Sequence, residues 1–409
     1  MSTRPRLEVA DVVRAHAECY LMRHAASAAQ RRVLRAIARC RTAALGGHIA
    51  ECDHCRHRKI AYNSCRNRHC PKCQGTATAR WLQQRATELL PVPYFHVVFT
   101  LPDTLRPLAL QNPRLLYSGL FQAAAETLLE VAAHPKRGAV RIGFLAVLHT
   151  WGQNLLHHPH VHCVVPGGGL SEDGLRWIPG RANYFLPTRI LSRVFRGKFI
   201  HWLKRMRERG ELQFHGQLRG LCDAETWQQF LRRAVRRPWV VYAKAPFGGP
   251  AQVLKYLARY THRVAISNRR LVSLQEGKVT FRYKDYARNQ TRKLLTLEGE
   301  EFLRRFLLHV LPRGFVRIRH YGYMANRERS ENLERCRRLL LPPPQDFPID
   351  EGNSLPSLES RSDLRPAQLT AACPVCRHGT MQCVEVFSCS QMEEHLLQAG
   401  REIEDWDTS

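Results

Sequence analysis

The chain has 409 residues, 44% of them hydrophobic and 24% charged, enough for two or three domains with ordinary cores. Its charge is less ordinary: 63 Lys and Arg against 35 Asp and Glu give a net +28, and residues 346–409 hold twelve acidic but only four basic side chains, leaving about +36 on the rest. A body this basic calls for a polyanion bound through phosphate neutralisation and counterion release. No apolar run approaches the ~20 residues of a spanning helix and the first residues lack a secretory apolar stretch, so the expected setting is the cytoplasm, on nucleic acid and not on a membrane.

In chain order, residues 7–45 place Val9, Val12, Val13, Val33, Leu34 and Ile37 at helical spacing and end at Gly46-Gly47. Residues 48–75 are rich in cysteine. Fourteen cysteines, several in Cys-x-x-Cys pairs, argue for metal thiolates in a reducing compartment and against disulfides. Cys52-x2-Cys55 and Cys70-x2-Cys73 have the spacing of two knuckles around one structural Zn²⁺, with Cys65 and His69 able to replace a ligand or share a second metal. The interleaved Arg66, Arg68 and Lys72, with their neighbours, suit phosphate contacts, although a solvated basic face would read the same way.

A helical pattern resumes over 76–90. The run Tyr94–Pro102 is β-branched and aromatic and stops at proline, as a strand does, and a helix follows near 105–133. Residues 143–151 and 160–166 read as a strand hairpin around a short loop. In the second strand, His160 and His162 stand two apart, so both imidazoles face one side. Two imidazoles leave coordination positions for phosphate oxygens, and a third protein ligand is expected from the neighbouring strand. A turn at 156–159 would bring Gln153 across from His162; Asn154 and His149 compete, because a one-residue slip changes the facing side chain. Imidazole with an amide oxygen suits Mn²⁺ or Mg²⁺, which would polarise a scissile phosphate.

Residues 187–235 read as amphipathic, basic helix, and 239–243 as a short strand. Over 250–262, Tyr256 and Tyr260 are four apart in a helix-compatible segment and share a face. Aromatics at that spacing also suit a core. Here Lys255, Arg259, His262 and Arg263 surround them, a setting that lowers a phenol's pKa and holds phosphates. A hairpin is expected at 270–286, turning at 275–277, then an Arg-rich helical run to 341. Pro342-Pro343-Pro344 opens a linker into an acidic, partly disordered tail, where Cys373-Pro374-Val375-Cys376 looks like half of a second knuckle.

Several motifs occur together in one order: Asn63-Ser64-Cys65-Arg66-Asn67-Arg68-His69-Cys70-Pro71-Lys72-Cys73, Phe99-Thr100-Leu101-Pro102, His149-Thr150-Trp151-Gly152-Gln153, Pro159-His160-Val161-His162, Tyr256-Leu257-Ala258-Arg259-Tyr260-Thr261-His262-Arg263 and His320-Tyr321-Gly322. Over residues 10–340 this closely resembles the two-tyrosine HUH transposases of the insertion sequence 91 family. The resemblance implies an α+β fold: a helical, zinc-ribbon-like domain (1–90), an HUH nuclease domain with a central antiparallel sheet (91–300), a basic helical extension (301–341) and the tail (342–409). It implies rolling-circle transposition on single-stranded or hairpin transposon ends and target DNA. His160 and His162 would be metal ligands and Tyr256 and Tyr260 nucleophiles, with the host replication machinery extending the freed 3′ end. A plasmid replication initiator, a relaxase and a non-catalytic zinc-dependent regulator are the competing expectations.

Overall fold

The computed structural model describes residues 7–135, 139–180, 186–247, 253, 264–285, 291–341 and 372–388. The chain starts with helices α1 (Val9–Arg23) and α2 (Ala28–Ala38), then strands β1 (Gly47–Cys52) and β2 (Arg58–Tyr62) and helix α3 (Gln74–Ala86). The start of α1 is closed by a reciprocal capping box between Glu8 and Asp11. Strand β3 (Tyr94–Thr100) leads to α4 (Arg106–Gln111) and α5 (Pro113–Ala133), both with proline in the first turn, where its missing N–H costs nothing. Next come β4 (Gly143–Trp151), β5 (His157–Pro166), a small pair β6 (Gly168–Leu170) and β7 (Trp177–Pro179), and helices α6 (Thr188–Glu208) and α7 (Ala224–Val235). The Asp223 carboxylate caps α7 by accepting from Thr226 N–H at 2.8 Å. Strands β8 (Val241–Phe247), β9 (Leu271–Gln275), β10 (Lys278–Asp285) and β11 (Thr291–Glu298), helix α8 (Gly299–Leu307), strand β12 (Ile318–Gly322), helix α9 (Arg329–Leu340) and strand β13 (Met381–Phe387) complete it.

Two compact units emerge. One joins 1–38 to 67–341; the other joins 39–66 to 342–409. This replaces the expected four consecutive segments, because the tail pairs with the cysteine-rich hairpin and does not stand alone.

At the heart of the larger unit is a five-stranded sheet in the order β12-β4-β5-β3-β8, with every neighbouring pair antiparallel. Its strands are covered on both faces, which is why β3 and β4 read as nearly unbroken apolar runs. Phe99, Phe144, Ala146, Leu148, Val161 and Cys163 point into a core built with α5, α6 and α7. The alternate residues Tyr94, Leu145, Val147 and Val164 enter a second cluster with Leu333 and Cys336 of α9. Helices α5 and α6 meet at Gly119, where a Cβ would lie 2.4 Å from the Trp202 ring, so only hydrogen fits.

Three expectations change. The Arg-rich run before residue 341 is interrupted by β12, Ile318-Arg319-His320-Tyr321-Gly322, a short strand masked by the charge around it. The hairpin at 270–286 gains a third strand, β11, paired along β10. Within the tail, residues 372–388 are folded and not disordered, and β13 pairs with β1. The expected tyrosine helix lies outside the described residues, apart from Val253.

The β4–β5 turn, residues 152–156, is locked from outside. Gly152 N–H donates to Leu156 O at 2.9 Å, and Leu155 takes a left-handed φ of 62° with its side chain buried. The carbonyls of Gln153 and Asn154 accept from Arg270 and Arg305, and that of Leu155 from His309 Nε2 at 3.0 Å. His309 Nδ1 meets the Thr150 hydroxyl at 3.2 Å, and His157 Nε2 meets the Tyr117 hydroxyl at 2.8 Å.

Burial holds both histidines neutral, pushing His157 down to about 3 and His309 to about 4. The unfolded chain takes up these protons near 6.5 and the folded chain refuses them until about 4, so stability is full above 6.5 and declines as pH falls below it. Each such histidine contributes about 1.4 kcal/mol per pH unit in that window. Thermal melts between pH 7 and 4.5 should show this fall, with a shallower slope in His309→Gln; an unchanged slope would remove His309 from the linkage.

Candidate metal centre

Register decides which side chains meet on the second face of the sheet. The β4–β5 ladder sets His149 opposite His160 and Val147 opposite His162. Directly opposed residues of an antiparallel pair share a face, as do alternate residues of one strand. His149, His160 and His162 therefore project together, away from the α5–α6 core, and their candidate ligand atoms all lie within 4.8 Å of one another. His149 and His162 are buried and His160 half-buried, so solvent reaches the cluster on the His160 side.

Hydrogen bonds select the nitrogens. His160 Nδ1 donates to the backbone carbonyl of His158 at 2.6 Å, which leaves Nε2 with the lone pair. His162 Nδ1 lies 2.8 Å from Nε2 of His96, and the two rings stack at 5.0 Å. Burial, reinforced by Lys244, pushes His96 down to about 3, so it stays neutral and can accept from His162. That bond presents His162 Nε2 to the cluster, as an outer-shell partner does for a metal-ligating histidine. His96 was not among the residues singled out in the sequence; a lone histidine inside the apolar run of β3 was its one signal.

The side chain that the register brings to the His160–His162 pair is His149 and not Gln153. The turn closes at 152–156 instead of 156–159, so β5 starts at His157, and the register carries His149 to His160 while Gln153 stays in the turn with its carbonyl on Arg270. Three imidazoles gathered on one face fit a divalent transition ion. Replacing the expected amide oxygen by nitrogen moves the preference from Mg²⁺, which favours oxygen, toward first-row transition ions.

Tyr256, Tyr260, Lys255, Arg259 and Arg263 lie outside the described residues. Val253, three residues before Tyr256, is fully buried among Leu145, Val147 and Val164, on the same face of the sheet as the histidines.

The cysteines regroup. Cys52 and Cys55 gather with Cys373 and Cys376, not with Cys70 and Cys73, because β13 brings the tail's Cys-x-x-Cys pair to β1. Cys70 and Cys73 belong to the larger unit, where both are buried and Cys73 immediately precedes α3. Cys65 belongs to the smaller unit. Burial, with Arg317 and Arg68 nearby, pushes His69 down to about 3 and keeps it neutral. Of the expected phosphate contacts, Arg66 is exposed. Arg68 instead donates to Phe315 O at 2.7 Å, and Lys72 is ion-paired with Glu8 at 2.6 Å, its side chain only 9% exposed. Their charge is used inside the protein. A basic groove of about 490 Å³ lies elsewhere, between α6 and the start of β8, lined by Arg189, Arg193, Arg196, Trp239 and Val240. Helical spacing puts those arginines on one face, a signal present in the sequence but lost among the other basic residues of α6.

Among the described residues, no helix is long and apolar enough to cross a membrane. Residues 12–101 match a family described as "Transposase zinc-binding domain", and residues 143–332 one described as "Putative transposase". The chain is 52% identical, over 93% of its length and 95% of the relative's, to a protein of the latter description, y4qJ of Sinorhizobium fredii. It is 33% identical, over 70% of its length and 68% of the relative's, to the transposase for insertion sequence element IS801 of Pseudomonas savastanoi pv. phaseolicola. Alignment with the conjugative relaxase TrwC in complex with oriT DNA covers 60% of this chain and 73% of that one at 15% identity and a TM-score of 0.22, too slight a superposition to bear on either fold or activity.

Proposed function

This chain belongs to the insertion sequence 91 family of transposases, and from that starting point we propose that it nicks and rejoins single-stranded DNA at transposon ends through a tyrosine nucleophile beside the three-histidine centre. The observation that carries the reading is the convergence of His149, His160 and His162 on one face of an antiparallel sheet. His149, His160 and His162 would hold a divalent ion, Mn²⁺ in preference to Mg²⁺, which would supply Lewis-acid polarisation of the scissile phosphate. His96 and the His158 carbonyl orient the imidazoles, so that no reorganisation is needed when DNA arrives.

Tyr256 or Tyr260 attacks phosphorus. A P–O bond to the tyrosine forms, the bond to the 3′ oxygen breaks, and the departing oxygen takes up a proton. The 5′-phosphotyrosine conserves the energy of the phosphodiester, so rejoining needs no ATP. The freed 3′ hydroxyl is an end that a host polymerase can extend, and the second tyrosine is available for the other transposon end. The packing of Val253 on the histidine face supports this role for the segment that follows it.

The exposed Arg189 and Arg193 of the α6 groove, and Arg66, are available to DNA phosphates, whereas Arg68 and Lys72 already meet the protein's own carbonyl and carboxylate. Lys255, Arg259 and Arg263 complete the proposed contact set on sequence grounds.

Incubation of the purified chain with labelled single-stranded transposon ends and Mn²⁺ should give a covalent protein–DNA adduct on denaturing gels. The adduct should disappear on chelation and in the Tyr256→Phe, Tyr260→Phe double variant. An adduct that survives the double variant would overturn the tyrosine assignment. Replacing Arg189 and Arg193 by Ala should weaken single-strand binding and reduce the slope of log affinity against log salt by about 0.7 per lost phosphate contact. An unchanged slope would exclude the groove as the DNA path.

A further inference from the structure

We infer that Cys52, Cys55, Cys373 and Cys376 form one tetrahedral Zn²⁺ site, a clasp between the N-terminal hairpin and the tail that lets neither fold without the other. The first two cysteines fall inside the region matched as zinc-binding, residues 12–101; the other two lie beyond both matched regions.

The two halves are copies of one local structure. In each Cys-x-x-Cys-Arg, the arginine after the second cysteine takes a left-handed φ, 56° at Arg56 and 59° at Arg377. In each, that arginine's N–H donates to the carbonyl of the first cysteine at 3.1 Å. The first cysteine's own N–H is also held in each, by His57 O at 2.9 Å and by Gly379 O at 2.8 Å. Backbone N–H groups of Cys55 and Gly379 point at the sulfurs of Cys52 and Cys376, at 3.5 and 3.4 Å. Strained left-handed arginines serve no purpose in two free loops; in two knuckles they turn both sulfurs of each pair toward one point.

The geometry fits a shared ion, all four sulfurs lying within 4.8 Å of one another. Cys52 Sγ lies 3.7 Å from Cys376 Sγ, and Cys55 Sγ 3.6 Å from Cys373 Sγ. A disulfide would need about 2.05 Å. Four sulfurs at about 2.3 Å from a central ion sit roughly 3.75 Å apart on the edges of a tetrahedron, and four thiolates in that geometry favour zinc.

The surroundings are fitted to the site. Asp53 bridges the halves, its Oδ1 accepting from Thr380 N–H at 2.8 Å while its own N–H donates to Thr380 O at 3.2 Å. A Cβ on Gly379 would fall 2.5 Å from Cys52 Sγ. The hydrophobic core cluster of the sheet β13-β1-β2 that carries the clasp is small: Ile49, Ile60 and Phe387, with Ala43 and Tyr62 against them. So small a core does not hold three strands unaided, and metal binding supplies the missing folding energy.

Zinc content of the purified full-length chain tests this. Cys52→Ser and Cys376→Ser should each remove one equivalent per chain, and the double variant should remove no more than either alone. Cys383→Ser, exposed on the same strand β13, should retain full zinc. Should the serine variants fold poorly, Co²⁺ titration of the unmodified full-length chain gives a second measure: the thiolate-to-cobalt charge transfer should be blocked by prior alkylation of Cys373 and Cys376. Undiminished zinc in Cys376→Ser, or two equivalents lost in the double variant, would overturn the shared site. None of these measurements uses DNA cleavage, so the clasp stands or falls apart from the proposed activity.

Discussion

The pairing of His149 with His160 across the β4–β5 ladder is the constraint on which the candidate centre depends. Side chains alternate faces along a strand, so a one-residue slip of β5 against β4 would turn His160 and His162 into the apolar core, away from His149, and bring Val161 and Cys163 out. The turn at 152–156 prevents that slip. Arg270, Arg305 and His309 hold three successive backbone carbonyls in it, and the left-handed Leu155 anchors it by burying its side chain. Elements distant in sequence thus set the geometry of a local hairpin.

Burial on the other side of the sheet gives this register its rigidity. Phe99, Phe144, Phe195 and Phe199 are fully buried between the strands and the two long helices. The same desolvation keeps His96, His157 and His309 neutral. A neutral His96 can accept the Nδ1 proton of His162, whereas a charged one would donate and compete with the metal for the lone pair. Packing therefore acts on the chemistry twice, through position and through protonation state.

Much of this was legible in the residues. The strands β3, β4 and β5 announced themselves as apolar, β-branched runs, and the His-x-His spacing placed two ligands on one face whatever the register. The third ligand was not legible, because choosing among His149, Gln153 and Asn154 required the turn position, which carbonyl contacts from residues more than a hundred positions away decide. Strand β12 was hidden by the charge around it. The tail's Cys-Pro-Val-Cys was visible as half a knuckle, but its partners lie more than three hundred positions upstream, and composition alone made the surrounding acidic segment look unfolded. The internal partners of Arg68 and Lys72 were not legible, because spacing says nothing about which carbonyl or carboxylate a cation meets first.

The central claim, that sheet register builds a three-imidazole metal centre with His149 as its third member, is tested most directly by calorimetric titration of Mn²⁺ into the full-length chain and two variants. His149→Ala should weaken Mn²⁺ binding by more than about tenfold, the lower end of what losing even an outer-shell partner costs, while Gln153→Ala should leave it unchanged. Binding that survives His149→Ala and collapses with Gln153→Ala would contradict the account.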